Sequence, residues 1–251
     1  MLAVSRSDNV SWARMDRENV LCALDQAQLG RLADWICAAG KDDAVSALVL
    51  TGTGRAFSAG ADIGEAETQD ETGFAANTAL YQELARRISG LGKPVIAAVN
   101  GYCLGGGLEL AAMCDLRIAA RSARFGLPDA ALGFSVSGGL SWFLPRHIGL
   151  GRTMDLYLTQ RLVDADEAQR IGLVADVVDD DDLLARAGDL AAAVAGFPGC
   201  GVAHMKALLG TRHETLEAVL ADEEERDRAC FADPATGERL RAFLEARRAG
   251  R

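Results

Sequence analysis

Histidine is scarce in these 251 residues: there are three, at positions 147, 204 and 213. No two of them stand at the spacing of a zinc-binding helix, and none accompanies a G-x-S-x-G turn. The chain therefore reads as having no metal site and no Ser-His-Asp triad. Cysteine is present six times, at 22, 37, 103, 114, 200 and 230, but without a C-x-x-C pair. Most of these thiols have apolar neighbours, which fits reduced core residues in a cytoplasmic protein. No apolar run approaches the roughly 20 residues that span a bilayer. Residues 1–17 lack the basic start and apolar stretch of a secretory signal. Basic residues are also outnumbered, 26 against 36 acidic, for a net charge of −10. Such a field disfavours nucleic acid and anionic membrane as partners, yet leaves room for a small anionic ligand in a locally cationic pocket.

Glycine is plentiful, at 27 residues, and it clusters. Clustered glycine in a chain that is 49% hydrophobic points to tight turns and close approach to a ligand, not to disorder. Strand and helix patterns alternate through the first three quarters. Strands are expected at 10–15, 47–51, 95–99, 116–120, 124–126 and 172–178. Helices are expected at 25–39, 76–89 (with Leu80, Leu84 and Ile88 on one face) and 108–113. Asp164 with Glu167 reads as a capping box for a further helix ending near Gly172. After Pro198 the strand signals stop, and 204–210, 215–229 and 238–247 are helical in pattern. The chain thus divides into an α/β core, 1–196, and a helical region, 197–251.

Two glycine-rich turns carry the chemistry. The first runs from Gly54 to Ile63, after the 47–51 strand; the second runs from Asn100 to Leu110, after the 95–99 strand. Each sets free backbone N–H groups just beyond a buried strand. The second opens a helix, whose first N–H groups have no internal partner and sit at the positive end of the dipole. That end suits an anion or a developing oxyanion. Glu109 follows Gly106 by three residues, so helical geometry puts its carboxylate on the side of the Gly106 N–H. Donor and carboxylate facing one ligand is what stabilising an enolate and moving its proton requires. The same residues also suit a plainer role, a tight packed turn with an acid that complements the dipole. The turn is not a P-loop, since no Lys-Ser/Thr follows the glycines, and its glycine spacing misses G-x-G-x-x-G.

Phe57-Ser-Ala-Gly-Ala-Asp-Ile63 and Lys93-Pro-Val-Ile-Ala-Ala-Val-Asn-Gly-Tyr-Cys-Leu-Gly-Gly-Gly-Leu-Glu-Leu110 closely resemble the motifs of the crotonase (enoyl-CoA hydratase/isomerase) superfamily. Cys114-Asp-Leu-Arg-Ile-Ala119, Phe125-Gly-Leu-Pro128 and the Gly172-Leu-Val174 strand extend the resemblance over about residues 10 to 250. It implies a spiral of β-β-α repeats with a C-terminal helical region that packs into trimers, often paired as hexamers. It implies an acyl-CoA thioester as substrate, with coenzyme A part of that substrate and no permanently bound cofactor. Matched residue by residue, the oxyanion-hole N–H groups fall on Ala61 and Gly106, flanked by Ala59, Asp62, Ile63 and Gly105 in the substrate-binding turns. The first hydratase glutamate falls on Glu109.

Asp129 stands after Phe-Gly-x-Pro, where the second hydratase glutamate belongs. One methylene shorter, it sets its carboxylate roughly 1.5 Å back, a carbon–carbon bond length. The family's Asn-Arg-Pro near the first helix is Asp16-Arg17-Glu18 here, and a lysine often found after Ala-Asp-Ile is Gly64. Arg17, Arg55 and Lys206 remain as candidate contacts for the CoA phosphates or adenine, and a carrier-protein thioester stays open. Ser137 occupies the place of the dehalogenases' nucleophilic aspartate, against that chemistry. The acyl pocket is expected partly from 66–74 and 134–143. The leading expectation is reversible hydration of a 2-enoyl thioester through an enolate. The alternatives are isomerisation, decarboxylation or C–C cleavage on the same enolate, or a non-catalytic, including RNA-binding, member.

Overall fold

A computed structural model describes residues 1–210, 215–236, 238, 242 and 245. The chain opens with an antiparallel hairpin, β1 (Leu2–Ser7) and β2 (Val10–Met15). Helix α1 (Gln26–Lys41) follows, capped by Asp25, whose carboxylate accepts from the Gln28 N–H at 2.6 Å. Three repeats then stack. The first is β3 (Ala47–Gly52), β4 (Ala56–Ser58), α2 (Ile63–Thr68) and α3 (Glu71–Gly90). The second is β5 (Val95–Val99), β6 (Tyr102–Leu104) and α4 (Gly106–Met113). The third is β7 (Leu116–Ala120) and β8 (Arg124–Gly126), leading to α5 (Leu140–Ile148) and α6 (Leu150–Thr159). Each repeat gives its first strand to one sheet and its second to another. Together with β9 (Val163–Asp164), helix α7 (Ala165–Arg170) and β10 (Asp176–Val178), this makes a six-stranded sheet ordered β1-β2-β3-β5-β7-β10 and a four-stranded sheet ordered β4-β6-β8-β9.

The strands β3, β5 and β7 run parallel, with Leu48 opposite Val95 and Ile96 opposite Leu116. Parallel strands in such a spiral are covered on both faces, so they read as unbroken apolar runs. Every residue of β3 and β5 is buried. Each fully buried Leu, Val or Ile here contributes about 1.5–3 kcal/mol relative to exposure. One face of the large sheet packs on α1, α3 and α4; the other is covered by α8 (Leu183–Ala195), which sets Ala187 and Ala191 on Val49, Ile96 and Ile118.

Beyond the sheets lie α9 (Gly199–Gly210) and α10 (Leu216–Ala232). Lys206 docks α9: its ammonium donates to the Ile88 and Lys93 carbonyls at 3.2 and 2.9 Å and pairs with Asp115 at 2.6 Å. The helix expected over 238–247 lies largely outside the described residues. Asp164 caps α7 through the Glu167 N–H at 2.8 Å, but Glu167 does not reciprocate; it forms a two-pronged ion pair with Arg161 instead. The 172–178 strand is shorter than expected: Gly172 takes a positive φ of 84° as the chain leaves α7, and pairing begins only at Asp176.

Candidate active site

Asn100 joins the two glycine turns. Its side-chain oxygen accepts from the Gly52 N–H at 2.9 Å, and its amide donates to the Gly54 and Ala56 carbonyls at 3.0 and 3.1 Å. The ends of β3 and β5 are thus held in one register. Beyond them, Gly60 has φ +100°, and a Cβ there would stand 2.8 Å from the Leu104 carbonyl oxygen and 3.1 Å from the Gly106 nitrogen. Only glycine lets the first turn lie this close against the second.

The N–H groups of Ala61 and Gly106 come free for two different reasons. Ala61 forms a parallel bridge with Leu24, in which Leu24 bonds the Gly60 carbonyl and the Asp62 N–H. That pattern turns the intervening Ala61 N–H to the opposite side. Gly106 is the first residue of α4, where an N–H has no acceptor one turn back. Among the described residues neither N–H donates to another group. Both residues line a cavity of about 450 Å³, together with Glu109 and Asp129. The cavity is bounded by Phe74 and Phe134, whose rings stack at 5.2 Å.

The two carboxyls differ in surroundings. Glu109 is 2% exposed, on the first turn of α4. Its Oε1 accepts from the Ser137 N–H at 2.7 Å; its Oε2 accepts from the Ser137 hydroxyl at 3.0 Å and the Gly138 N–H at 2.7 Å. A carboxylate has about four acceptor positions, so three filled leave one, on Oε1. Asp129 sits in a 3₁₀ turn, Pro128–Leu132, and its buried Oδ2 has no hydrogen-bond partner among the described residues. Burial raises the Asp129 pKa above the ordinary carboxylate value, and the charge of Glu109 adds to the rise against its own backbone N–H. The site therefore pairs a buried carboxyl held by three protein donors with one that has an unpartnered oxygen and a raised pKa.

The remaining expected contacts do not gather around the cavity. Arg17 donates to the Ala23 carbonyl at 2.7 Å and pairs with Asp25 and Asp62 at 3.0 and 2.9 Å. Partial burial would raise Asp62, but the bond to Arg17, the Glu65 N–H and the Arg17 charge outweigh it and hold the carboxyl low. Arg17 and Asp62 thus lock the α1 entry to the first turn, and Lys206 is engaged at α9 as described above. Neither cation lines the cavity. Arg55 is exposed, and its side chain has no ion pair among the described residues. Ala59, Ile63 and Gly105 do line the cavity. The sequence reading missed Ser137 as a partner of Glu109, and it missed the α3 face at Asn77 and Tyr81, which also lines the cavity. The only signal for that face was the i, i+4 spacing of two polar residues on a helix already read as amphipathic. Among the described residues no cluster of His, Cys, Asp or Glu has the makings of a metal site.

The sequence profile of the enoyl-CoA hydratase/isomerase family matches residues 5–250. The chain belongs to that family. Among its relatives is a crotonyl-CoA hydratase of Syntrophomonas wolfei, 36% identical over 250 residues that cover 99% of this chain and 96% of that one. A short-chain-enoyl-CoA hydratase of Clostridium acetobutylicum is 34% identical, covering 98% and 95%. The crystal structure of an enoyl-CoA hydratase from Bacillus anthracis superposes with a TM-score of 0.93 at 31% identity, covering 98% of this chain and 96% of that one. The spiral of repeats and the helices that follow it among the described residues are therefore the family's fold.

Proposed function

We propose that this protein is an enoyl-CoA hydratase, adding water reversibly across the double bond of a 2-enoyl-CoA thioester. The observation that carries the reading is the convergence on one cavity of two unpartnered N–H groups and two carboxyls, one held by three donors and one with an unpartnered oxygen. The Ala61 and Gly106 N–H groups would bind the thioester oxygen, with the dipole of α4 behind the second. Charge that develops there as water adds would meet donors already in place, so no reorganisation is needed. Glu109, with one open acceptor position, takes a proton from the attacking water. Asp129, whose pKa burial and the Glu109 charge raise, gives its proton to the α-carbon. The new C–O bond at the β-carbon pushes the C=C electrons onto the thioester oxygen as the enolate, the enolate collapses back to the thioester as its α-carbon takes the proton, and the carboxyls pass one proton back before the next turnover.

The acyl thioester's coenzyme A is substrate, and the reading includes no permanently bound cofactor. Arg55 is the exposed cation best suited to its phosphates, beside a turn made by Ala59, Asp62 and Ile63. We assign residues 1–196 to this catalytic core and 197–251 to assembly as a trimer or a pair of trimers. Met205, Leu209, Leu220 and Phe231 are all more than half exposed, an apolar set suited to burial between copies. The six unpaired thiols suit the cytoplasm. The test is turnover of a short panel of 2-enoyl-CoA thioesters by the wild type, Glu109→Gln and Asp129→Asn. Full activity of Glu109→Gln on every substrate overturns the assignment. A silent Asp129→Asn beside a dead Glu109→Gln turns the reading to a single-carboxylate reaction on the same enolate.

A further inference from the structure

The cavity holds a third chemical group that the mechanism above does not use. Tyr81, on α3, is 3% exposed, and its hydroxyl has no hydrogen-bond partner among the described residues. Buried hydroxyls are rarely left so, because a phenol stripped of water loses its hydration without replacement. The hydroxyl lies against the oxyanion turn: a Cβ built on Gly106 would collide with it, so glycine there makes room for the phenol as well as for a ligand. On the other side of the same turn, a Cβ on Gly105 would stand 3.5 Å from Oδ2 of Asp129, the cavity's unpartnered carboxyl oxygen. Two orphaned oxygens, one a donor and one an acid, thus flank the Gly105–Gly106 peptide. Tyr81 and Glu109 also border one glycine: a Cβ on Gly138 would lie 2.9 Å from Glu109 Oε2 and 3.3 Å from Tyr81 Cβ.

What such a donor is for follows from the water. Glu109 can accept one of its protons, and the proton of Asp129 is destined for carbon. One lone pair of the water attacks the β-carbon, and the other needs a donor to fix its direction. We propose that the Tyr81 hydroxyl is that donor: it holds the reacting oxygen, the water that adds or the β-hydroxyl that leaves, between α3 and the two carboxyls. In the forward direction the bond orients the water. In reverse it supports the oxygen as its bond to the β-carbon breaks and it regains a proton from Glu109. Burial, with the charge of Glu109, pushes the phenol above its ordinary pKa, so it remains a donor throughout the working range.

This assignment rests on the hydratase reading, and the experiment separates the two. Tyr81→Phe removes one oxygen and keeps the ring. Two rates are compared with the wild type: hydration of crotonyl-CoA, and exchange of the α-protons of butyryl-CoA with deuterium oxide. Exchange needs the oxyanion N–H groups and a carboxyl but no added water. We expect hydration kcat to fall about 10- to 100-fold, the weight of one hydrogen bond to a group gaining charge, with KM within about threefold. Exchange should stay within about threefold of wild type, which a merely structural role for Tyr81 would not allow. Equal losses in both rates, or an unchanged hydration rate, overturn the assignment. Should the phenylalanine variant fail to fold, Tyr81→3-fluorotyrosine alters only donor strength; hydration must then change and exchange must not. A wild type that exchanges α-protons but hydrates no enoyl thioester brings down the hydratase reading and this assignment together.

Discussion

Glu109 and Asp129 share one cavity and one functional group, yet the fold treats them oppositely. Glu109 rides on α4, a helix fixed at both ends. The glycine turn holds its start, and buried Arg117 holds its finish, donating to the Cys114 and Leu173 carbonyls at 2.6 and 2.8 Å. Three donors from the 137–138 segment then hold the carboxylate. Asp129 rides on a single 3₁₀ turn, with one oxygen unpartnered. A carboxylate supplied with donors is stabilised as the anion, and one deprived of them is stabilised as the acid. In the proposed hydration, it is this difference in supporting structure, more than the side-chain length, that would divide the labour between base and acid.

The sharpest way to break that contrast is at Glu109. Glu109→Gln replaces an acceptor pair with an amide, whose NH₂ must face donors from Ser137 or Gly138. We expect kcat for 2-enoyl thioester hydration to fall about 1,000-fold, ~4 kcal/mol of transition-state stabilisation, with KM little changed. A fall of less than about tenfold, in steady-state rates on the wild type's best substrate, breaks the comparison at its stronger half.

Asp129→Asn should cost less, about 100-fold in kcat, because water and the N–H donors remain in place. Its signature is in the pH profile. The wild-type rate should fall as pH rises through the elevated pKa of Asp129, since the deprotonated form cannot protonate the α-carbon. The asparagine variant should lack that limb. A limb that survives unchanged would assign the acid to another group.

Ser137→Ala sharpens the contrast from the supporting side. It removes the hydroxyl bond to Oε2 but leaves the Ser137 and Gly138 N–H bonds. We expect a fall of about 5- to 10-fold in kcat, on the order of 1 kcal/mol. A loss as large as that of Glu109→Gln would show that the hydroxyl does more than orient the carboxylate.

Much of this contrast could be read from the chain before its structure. The buried β3 and β5 announce themselves as short apolar runs closed by glycine, and the N–H donors follow from what glycine and a helix start do to a backbone. The strands β4 and β6 could not be read so, because three residues inside a glycine-rich turn show no period. Helix α8, too, went unread. The link from Glu109 to Ser137 spans 28 residues and depends on how α4 meets the turn before α5, which no local spacing encodes. Tyr81 was hidden differently: the helical stripe of α3 was drawn through Leu80, Leu84 and Ile88, whereas the buried face runs through Asn77, Tyr81, Leu84 and Ile88. Counting only apolar residues passes over polar ones on the buried side, and those are the ones that meet a ligand. The cations fared worst. Arg17 and Lys206 were legible as charge, but charge does not reveal that each is already held by neighbouring carbonyls and carboxylates.

The smallest expected effect tests the weaker carboxyl through stability. A folded-state pKa above the unfolded value means that the folded chain binds the Asp129 proton more tightly. Below about pH 3.8, the ordinary aspartate value, both states are protonated and the group is silent. As pH rises past that value the unfolded state ionises first, and stability falls until the raised pKa is passed, after which the penalty is constant. Asp129→Asn removes the penalty, so it should be more stable than wild type at pH 8 by about 1 kcal/mol, the lower end for relieving a buried unsatisfied group. In a chain of this size that is a rise in Tm of about 2–4 °C. Near pH 4 the two melting curves should converge. An advantage that is the same at both pH values would mean that asparagine packs better and that Asp129 carries no burial strain; a variant less stable than wild type at pH 8 would mean that the carboxylate is held by donors after all, as Glu109 is.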